Sequence, residues 1–329
     1  MAADTSQVVA EPVTAGHTIA GHTIAGQASR EPAGTTRRHQ PPLLRATRPR
    51  QWIKNVLVYA APAAAGVVDH PRPFLRATAA FAVFTAVSAA MYLVNDVMDR
   101  EADQLHPVKS RRPIASGAVT PRAAVTLAAV LLVAGFAAAA ALTWQLLVVV
   151  VIYAGITLAY SLRLKHVAVI ELCCVASGFI LRAVAGGVAV AVPLSPWFLI
   201  VASFGAIFIV AGKRSSEHVV MGEGRADHRA SLGEYPPSFL RSVRVAGAII
   251  AITAYCLWAF TPRPGVQLHA HHLIWFELSI VPFVIAMLIV ELAFEQGRGG
   301  EPEELALKNH WLQGLGLCWV VLLLVGIYT

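Results

Sequence analysis

Three aspartates and an asparagine stand in Tyr92-Leu-Val-Asn-Asp-Val-Met-Asp-Arg-Glu-Ala-Asp103, where a strongly apolar run meets a basic loop. At about 100° per residue, positions 96, 99 and 103 fall within roughly 60° of one another on a helix, so Asp96, Asp99 and Asp103 converge on one face. Carboxylates crowded at the lip of an apolar helix are costly to keep charged and demand a cation. With Asn95 beside them they offer hard oxygen donors of the kind Mg²⁺ takes, and a metal held there can carry a diphosphate. The competing reading, a solvated helix end, suits an ordinary soluble helix better than this apolar one.

Two further constellations carry charge. Tyr160-Ser-Leu-Arg-Leu-Lys-His166 is followed by Glu171 and Arg182. Those last two are eleven positions apart, which on a helix returns within roughly 20° of the start, about 16 Å along the axis. They can line one shaft, or each can pair with a neighbouring helix. In Ala211-Gly-Lys-Arg-Ser-Ser-Glu-His218, Lys213 and Arg214 follow the end of an apolar run, where the helix dipole alone favours cations. Glu217, four positions after Lys213, is placed either for an ion pair or beside a cationic fork that binds a phosphorylated, hydroxyl-bearing sugar. His218, Asp227, His228 and Glu234 read as solvated loop residues.

The elements that must position these groups are membrane helices. The chain is 57% hydrophobic and 14% charged, with a mean hydropathy of +0.62, more apolar surface than a soluble chain of 329 residues can hide. Apolar runs recur at 53–68, 75–98, 121–141, 144–161, 167–191, 195–212, 240–260, 272–293 and 311–328, which predicts an all-α polytopic protein with nine transmembrane helices and three longer breaks at 99–120, 213–239 and 294–310. Residues 1–44 read as a disordered polar arm with a short Ala-Gly-His-Thr-Ile duplication and no secretory-signal layout, and 45–329 as the catalytic domain. Lys and Arg fall on the arm and on alternate loops, apart from Arg72, Arg76, Arg263 and the intraspan Arg182. This predicts a cytoplasmic N-terminus, a cytoplasmic cap made of the three long breaks, and an outside C-terminus. The net charge of +7 is thus membrane orientation, and nucleic acid is excluded as a partner. Cys173, Cys174, Cys256 and Cys318 sit in apolar runs without C-x-x-C spacing and read as buried structural thiols.

No phosphate-binding P-loop, dinucleotide glycine fingerprint, zinc-protease motif or nucleophile elbow is present. Metal, cations and a membrane cavity instead suit displacement of diphosphate from an activated carbon by a lipid acceptor. A transporter or lipid-binding protein is a weaker alternative, because the charge gathers in loops and not in broken helices at midplane.

Asn95-Asp96-x-x-Asp99-x-x-x-Asp103, Lys109-Ser-Arg-Arg-Pro-Ile-Ala-Ser-Gly117, Tyr160-Ser-x-x-x-Lys165 and the nine runs resemble the UbiA superfamily of intramembrane prenyltransferases over about 45–329. Most of that superfamily carries a second aspartate-rich motif after the sixth span, where this chain has Gly212-Lys-Arg-Ser-Ser-Glu217. With Arg48-Pro-Arg-Gln-Trp-Ile-Lys-Asn55 and Gly178-Phe-Ile-Leu-Arg-Ala-Val-Ala-Gly-Gly187, the chain is similar to a branch that moves phosphoribosyl groups. Glu171 stands where that branch is expected to have Asp.

The resemblance implies transfer from 5-phosphoribosyl 1-diphosphate to decaprenyl or another polyprenyl phosphate, as a step toward cell-wall arabinan precursors in the inner membrane. It implies Mg²⁺ on Asp96, Asp99, Asn95 and Asp103, with Lys165 and Glu171 also catalytic. Lys54, Lys109, Arg111, Arg112, Arg182, Lys213 and Arg214 would then bind or screen substrate anions, and Tyr160 and Glu217 would bind hydroxyls or orient cations. The alternative it leaves open is transfer of a prenyl group from a prenyl diphosphate to an aromatic or other acceptor. Acceptor chain length is open, as is a homo-oligomer.

Overall fold

The computed structural model describes residues 41–221, 234–261 and 270–328, and all regular structure among them is helical. Short helix α1 (Pro42–Ala46) leads into a 3-10 helix (Pro49–Tyr59) and α2 (Ala60–Ala64). The long α3 (Pro71–Met98) is followed by α4 (Arg100–Leu105) and by the α5–α6 hairpin (Pro121–Leu142 and Trp144–Leu162). Then come α7 (Ile170–Val190), α8 (Pro196–Met221), α9 (Pro237–Phe260), α10 (Ala270–Glu295), α11 (Pro302–Lys308) and α12 (His310–Tyr328). Eight of these, α3, α5 to α10 and α12, are long and apolar enough to cross a bilayer, and the protein is a multi-pass membrane protein.

Local chemistry sets the helix starts. Prolines at the first helical positions of α3, α5 and α9 cost nothing there, since those N–H groups would be orphaned anyway. Thr120 caps α5 by accepting from Ala123 N at 3.2 Å, and Thr143 caps α6 by accepting from Leu146 N at 3.1 Å. A single extended residue, Thr143, therefore turns the hairpin. Spans satisfy their backbone internally, so apolar side chains such as Val130, Val133 and Leu288 are left exposed for lipid.

One expected span takes another form. Segment 49–64 is a 3-10 helix running into a five-residue α-helix, not a continuous α-helix. It is not among the eight helices long and apolar enough to cross a bilayer, so the expected nine spans are eight among the described residues. Its course is fixed by packing on α7. A Cβ on Gly186 would lie 1.7 Å from the Val58 carbonyl oxygen, so only glycine allows that approach. Helix α7 is the hub, touching α3, α6, α8, α2 and the 3-10 helix. Val58, Phe84, Val87, Leu146, Val150, Tyr153 and Ala185 form the main core around it.

Two expectations are corrected. Helix α8 does not end at residue 212 but runs through Lys213–Met221, so the basic segment is helical. The cysteines are free, but none is buried in the protein: Cys173 and Cys318 are exposed on spans, and Cys174 and Cys256 are intermediate. An apolar side chain on a membrane span need not be covered by protein. The arm reading for 1–40 lies outside the described residues.

Candidate active site

Helix α3 stops at Met98 and Asp99 makes a turn (φ −88°, ψ 5°) before α4. Helical hydrogen bonds run across the break: Asp99 N donates to Asn95 O at 2.9 Å, and Asp103 N to Asp99 O at 2.8 Å. Asp96 and Asp103 therefore stay on one side, both buried. The same nitrogen of Arg112, Nη1, lies 2.6 Å from Asp103 Oδ2 and 3.2 Å from Asp96 Oδ1. Arg48 Nη2 adds a 2.5 Å bond to Asp96 Oδ1 and its guanidinium lies 5.0 Å over the Tyr92 ring. Arg48 holds this place from a left-handed backbone (φ 53°, ψ 63°) that side chains adopt at a cost.

Asp99 faces elsewhere. Lys165 Nζ lies 2.5 Å from its Oδ1, and Asn95 Nδ2 donates to its Oδ2 at 3.1 Å, while Ser161 Oγ donates to Asn95 Oδ1 at 2.9 Å. The expected convergence thus holds for Asp96 and Asp103, whereas the break turns Asp99 toward the next helix pair. Among the described residues no three His, Cys, Asp or Glu side chains gather closely enough to hold a metal ion by themselves. The donor set still suits Mg²⁺: two carboxylates already share one positively charged nitrogen, and all donors are hard oxygens.

The α6–α7 corner links this acidic end to a basic one. Ser161 on α6 binds Asn95, and Tyr160 beside it lies within electrostatic reach of Arg214. The 3-10 turn Leu164–His166 carries Lys165, and the first turn of α7 carries Glu171. Glu171 is fully buried and takes two bonds from Arg214, Nε to Oε1 and Nη2 to Oε2, each 2.8 Å. Arg214 Nη1 also donates to Glu217 Oε2 at 2.9 Å. On the far side of α8, Ser215 accepts from Arg244 Nη1 at 2.9 Å and Ser216 Oγ accepts from Gly299 N at 3.1 Å. Arg244, itself buried, pairs with Glu291 and Glu295 on α10. The last turns of α8 are therefore clamped on both sides.

Glu171 and Arg182 share a face of α7 but not a partner. Arg182 is buried among neutral groups: Nε donates to Asn55 Oδ1 at 2.7 Å, Nη1 to Gly178 O at 2.6 Å and Nη2 to Tyr153 Oη at 3.3 Å. The rings of Phe84 and Tyr153 lie 5.0 and 5.1 Å from its guanidinium carbon. Lys54, Lys109, Lys213 and Glu217 are half-buried and Arg111 is exposed. His218, expected in solvent, is buried with Nε2 3.1 Å from the Tyr235 carbonyl, because α8 continues through it and that face of the helix packs on Tyr235. Glu234 is exposed as expected, and Asp227 and His228 lie outside the described residues.

Between segment 49–64 and helices α8, α9, α10 and α12 lies an apolar groove of about 600 Å³. Ile53, Leu57, Phe198, Trp258, Phe283 and Leu323 are among its walls. Such a lining takes hydrocarbon.

The sequence profile of the UbiA prenyltransferase family matches residues 56–327. The chain belongs to the UbiA prenyltransferase family. Among its UbiA relatives, the chain is 45% identical to the decaprenyl-phosphate phosphoribosyltransferase of Mycobacterium tuberculosis over 84% of this chain and 91% of that one. It is 43% identical to the protein of that name from Mycolicibacterium smegmatis (87% and 92%) and 39% identical to that from Corynebacterium glutamicum (89% and 90%). The fold is that of a UbiA homolog from Archaeoglobus fulgidus solved with GPP and Mg²⁺, with a TM-score of 0.65 at 19% identity over 87% of this chain and 98% of that one.

In this UbiA site, sequence reasoning missed Arg48, Ser161, Asn55 and Tyr153 as working residues. Arg48 and Asn55 stand in Arg48-Pro-Arg-Gln-Trp-Ile-Lys-Asn55 and Ser161 in Tyr160-Ser, stretches conspicuous in the sequence. Tyr153 gives no signal of its own within an apolar run.

Proposed function

We propose that this UbiA protein transfers the 5-phosphoribosyl group of 5-phosphoribosyl 1-diphosphate to a polyprenyl phosphate, decaprenyl phosphate in the first instance, and releases diphosphate. One observation carries the reading. The acids and cations of the α3–α4 turn suit a diphosphate, and across the α6–α7 corner α8 presents Lys213 and Arg214 in place of a second acidic cluster. A prenyl diphosphate has one anionic end, whereas the phosphoribosyl donor has two, and its 5-phosphate calls for cations. Identity of 39% to 45% with proteins that carry this activity in their names supports the same reading.

Asp96, Asp99 and Asp103, with the Asn95 amide, are the residues that would hold Mg²⁺, whose positive charge suits the leaving diphosphate. Arg48, Arg112 and Lys165, now on those carboxylates, can each turn an N–H to a phosphate oxygen. Arg214 spends three of its five N–H groups on Glu171 and Glu217, and with Lys213 it is assigned the 5-phosphate. Glu171 is thereby a positioning group. Tyr160 and Glu217 are assigned the ribose hydroxyls.

As the C1–O bond to diphosphate loosens, positive charge builds on the ribose ring. An oxygen of the lipid phosphate attacks C1 from the opposite face, the new C1–O bond forms, and the old bonding pair leaves with diphosphate, inverting C1. The acceptor is already anionic, so no general base is needed. Two anions must instead be brought together, and Lys54, Lys109 and Arg111, with the buried positive charge of Arg182, lower their repulsion. The apolar groove suits a stretch of the polyprenyl chain. The distribution of Lys and Arg favours a cytoplasmic N-terminus and active site and an outside C-terminus, and similarity to the mycobacterial decaprenyl-phosphate phosphoribosyltransferases supports an inner-membrane enzyme whose product is bound for cell-wall arabinan synthesis.

Purified protein with Mg²⁺, radiolabelled donor and polyprenyl phosphates should form a lipid-linked phosphoribose with one diphosphate per turnover. Consumption of a prenyl diphosphate with an aromatic acceptor, and none of the phosphoribosyl donor, would replace this reading with prenyl transfer.

A further inference from the structure

Between Lys165, which holds Asp99, and Glu171, which holds Arg214, the backbone passes through a strained turn. Val169 has φ 67° and ψ −50°, and Ile170 N donates to Ala168 O at 2.8 Å, closing a three-residue γ-turn. A β-branched side chain is poorly tolerated at positive φ, so something must hold it there. The Val169 N–H points to one partner, Tyr235 Oη, at 2.6 Å.

Tyr235 is built in from three directions. Its carbonyl lies 3.1 Å from His218 Nε2 at the end of α8, and its ring stacks on Phe239 of α9 with centroids 5.8 Å apart. It packs with Leu172, Ala176 and Val210, which belong to α7 and α8. The one residue thus ties the start of α7 to the end of α8, the two elements that carry Glu171 and Arg214. Burial pushes its hydroxyl up to about 12, so it stays a neutral acceptor at neutral pH.

We propose that Tyr235 is a positioning residue: by locking the Val169 turn it sets the distance between the acidic and basic halves of the site, and so adapts the site to a donor with phosphates at both ends. The inference rests on the donor reading above. It makes a specific demand, because a ligand that spans both halves feels their spacing and a ligand that sits on one half does not.

The experiment compares binding of 5-phosphoribosyl 1-diphosphate and inorganic diphosphate, each with Mg²⁺, to purified wild-type protein, Tyr235→Phe, Val169→Gly and the double variant. Phenylalanine keeps the stacking and removes only the acceptor oxygen. The expected result is that Tyr235→Phe weakens the phosphoribosyl donor about 10-fold and inorganic diphosphate less than about 2-fold. Val169→Gly, which takes positive φ without strain, should behave as wild type and should restore most of the loss in the double variant. A general loss of structure would weaken both ligands alike and would not be rescued by glycine. Equal weakening of both ligands, an unchanged donor affinity in Tyr235→Phe, or failure of the rescue overturns the positioning role. Wild-type protein that binds the donor no more tightly than diphosphate overturns the donor reading itself, and the role of Tyr235 with it.

Discussion

At the α3–α4 turn, Arg48 and Arg112 leave 27% of their side chains exposed and Lys165 leaves 23%, whereas at the α7–α8 contact Arg214 leaves 4% and Glu171 none. The bonds are alike in type and length, but the surroundings differ. In the first region the cations are partly open to water although Asp96 and Asp103 are buried, and ion pairs that water reaches are worth less net and exchange partners more readily. A buried bidentate pair has already lost its water, so each partner depends on the other. The first region is therefore suited to trade carboxylates for phosphate oxygens as a substrate arrives, and the second to stay fixed and aim what remains of its fork.

That contrast can be broken most sharply by removing Asp99, the least buried of the three acids, at 24% exposure against 2% for Asp96 and 4% for Asp103. Asp99→Ala should lower turnover on the order of 10²- to 10³-fold while leaving the helical circular dichroism intact, and EDTA should do the same reversibly, with Mg²⁺ restoring activity. Near-normal turnover in folded Asp99→Ala would contradict the role of the acidic end. Glu171→Ala should act the other way, destabilising the protein by roughly 3–5 kcal/mol in detergent-solubilised unfolding, because it strands a buried guanidinium. If Glu171→Ala unfolds as wild type does, the buried pair is not the fixed element described.

Arg48→Ala leaves Asp96 with Arg112, so the expected change is in binding: roughly 10- to 100-fold in donor KM, with a melting temperature close to wild type. A large stability loss with unchanged KM would erase the distinction between the regions. At the small end stands the surface Lys308–Glu304 pair, which raises the Lys308 pKa and lowers that of Glu304. Lys308→Ala should alter neither activity nor stability measurably.

Much of this was legible in the chain, and the failures have physical causes. Apolar runs of bilayer length announced nine helices, and eight of them stand as candidate spans, because lipid imposes both composition and length. The run at 53–68 was apolar too, but composition does not separate an α-helix from a 3-10 helix, and the deciding contact of Gly186 with Val58 is tertiary. Lys213-Arg-Ser-Ser-Glu217 looked like a loop because it is polar. It is helical because Glu171 and Gly299 satisfy its buried Arg214 and Ser216. The spacing of Asp96, Asp99 and Asp103 pointed to the acidic end, but not to the break at Asp99 that turns it toward Lys165. Arg48 reaches Asp96 across 48 positions from a left-handed backbone, and no local pattern encodes that.

The central claim is that the donor's two anionic ends are held by the two regions separately. Affinities of 5-phosphoribosyl 1-diphosphate and of ribosyl 1-diphosphate, which lacks the 5-phosphate, should be measured in wild-type protein and in Lys213→Ala. In wild type the 5-phosphate should tighten binding roughly 10- to 100-fold, and in Lys213→Ala most of that gap should close while ribosyl 1-diphosphate binds as before. A gap of equal size in both proteins would contradict the claim.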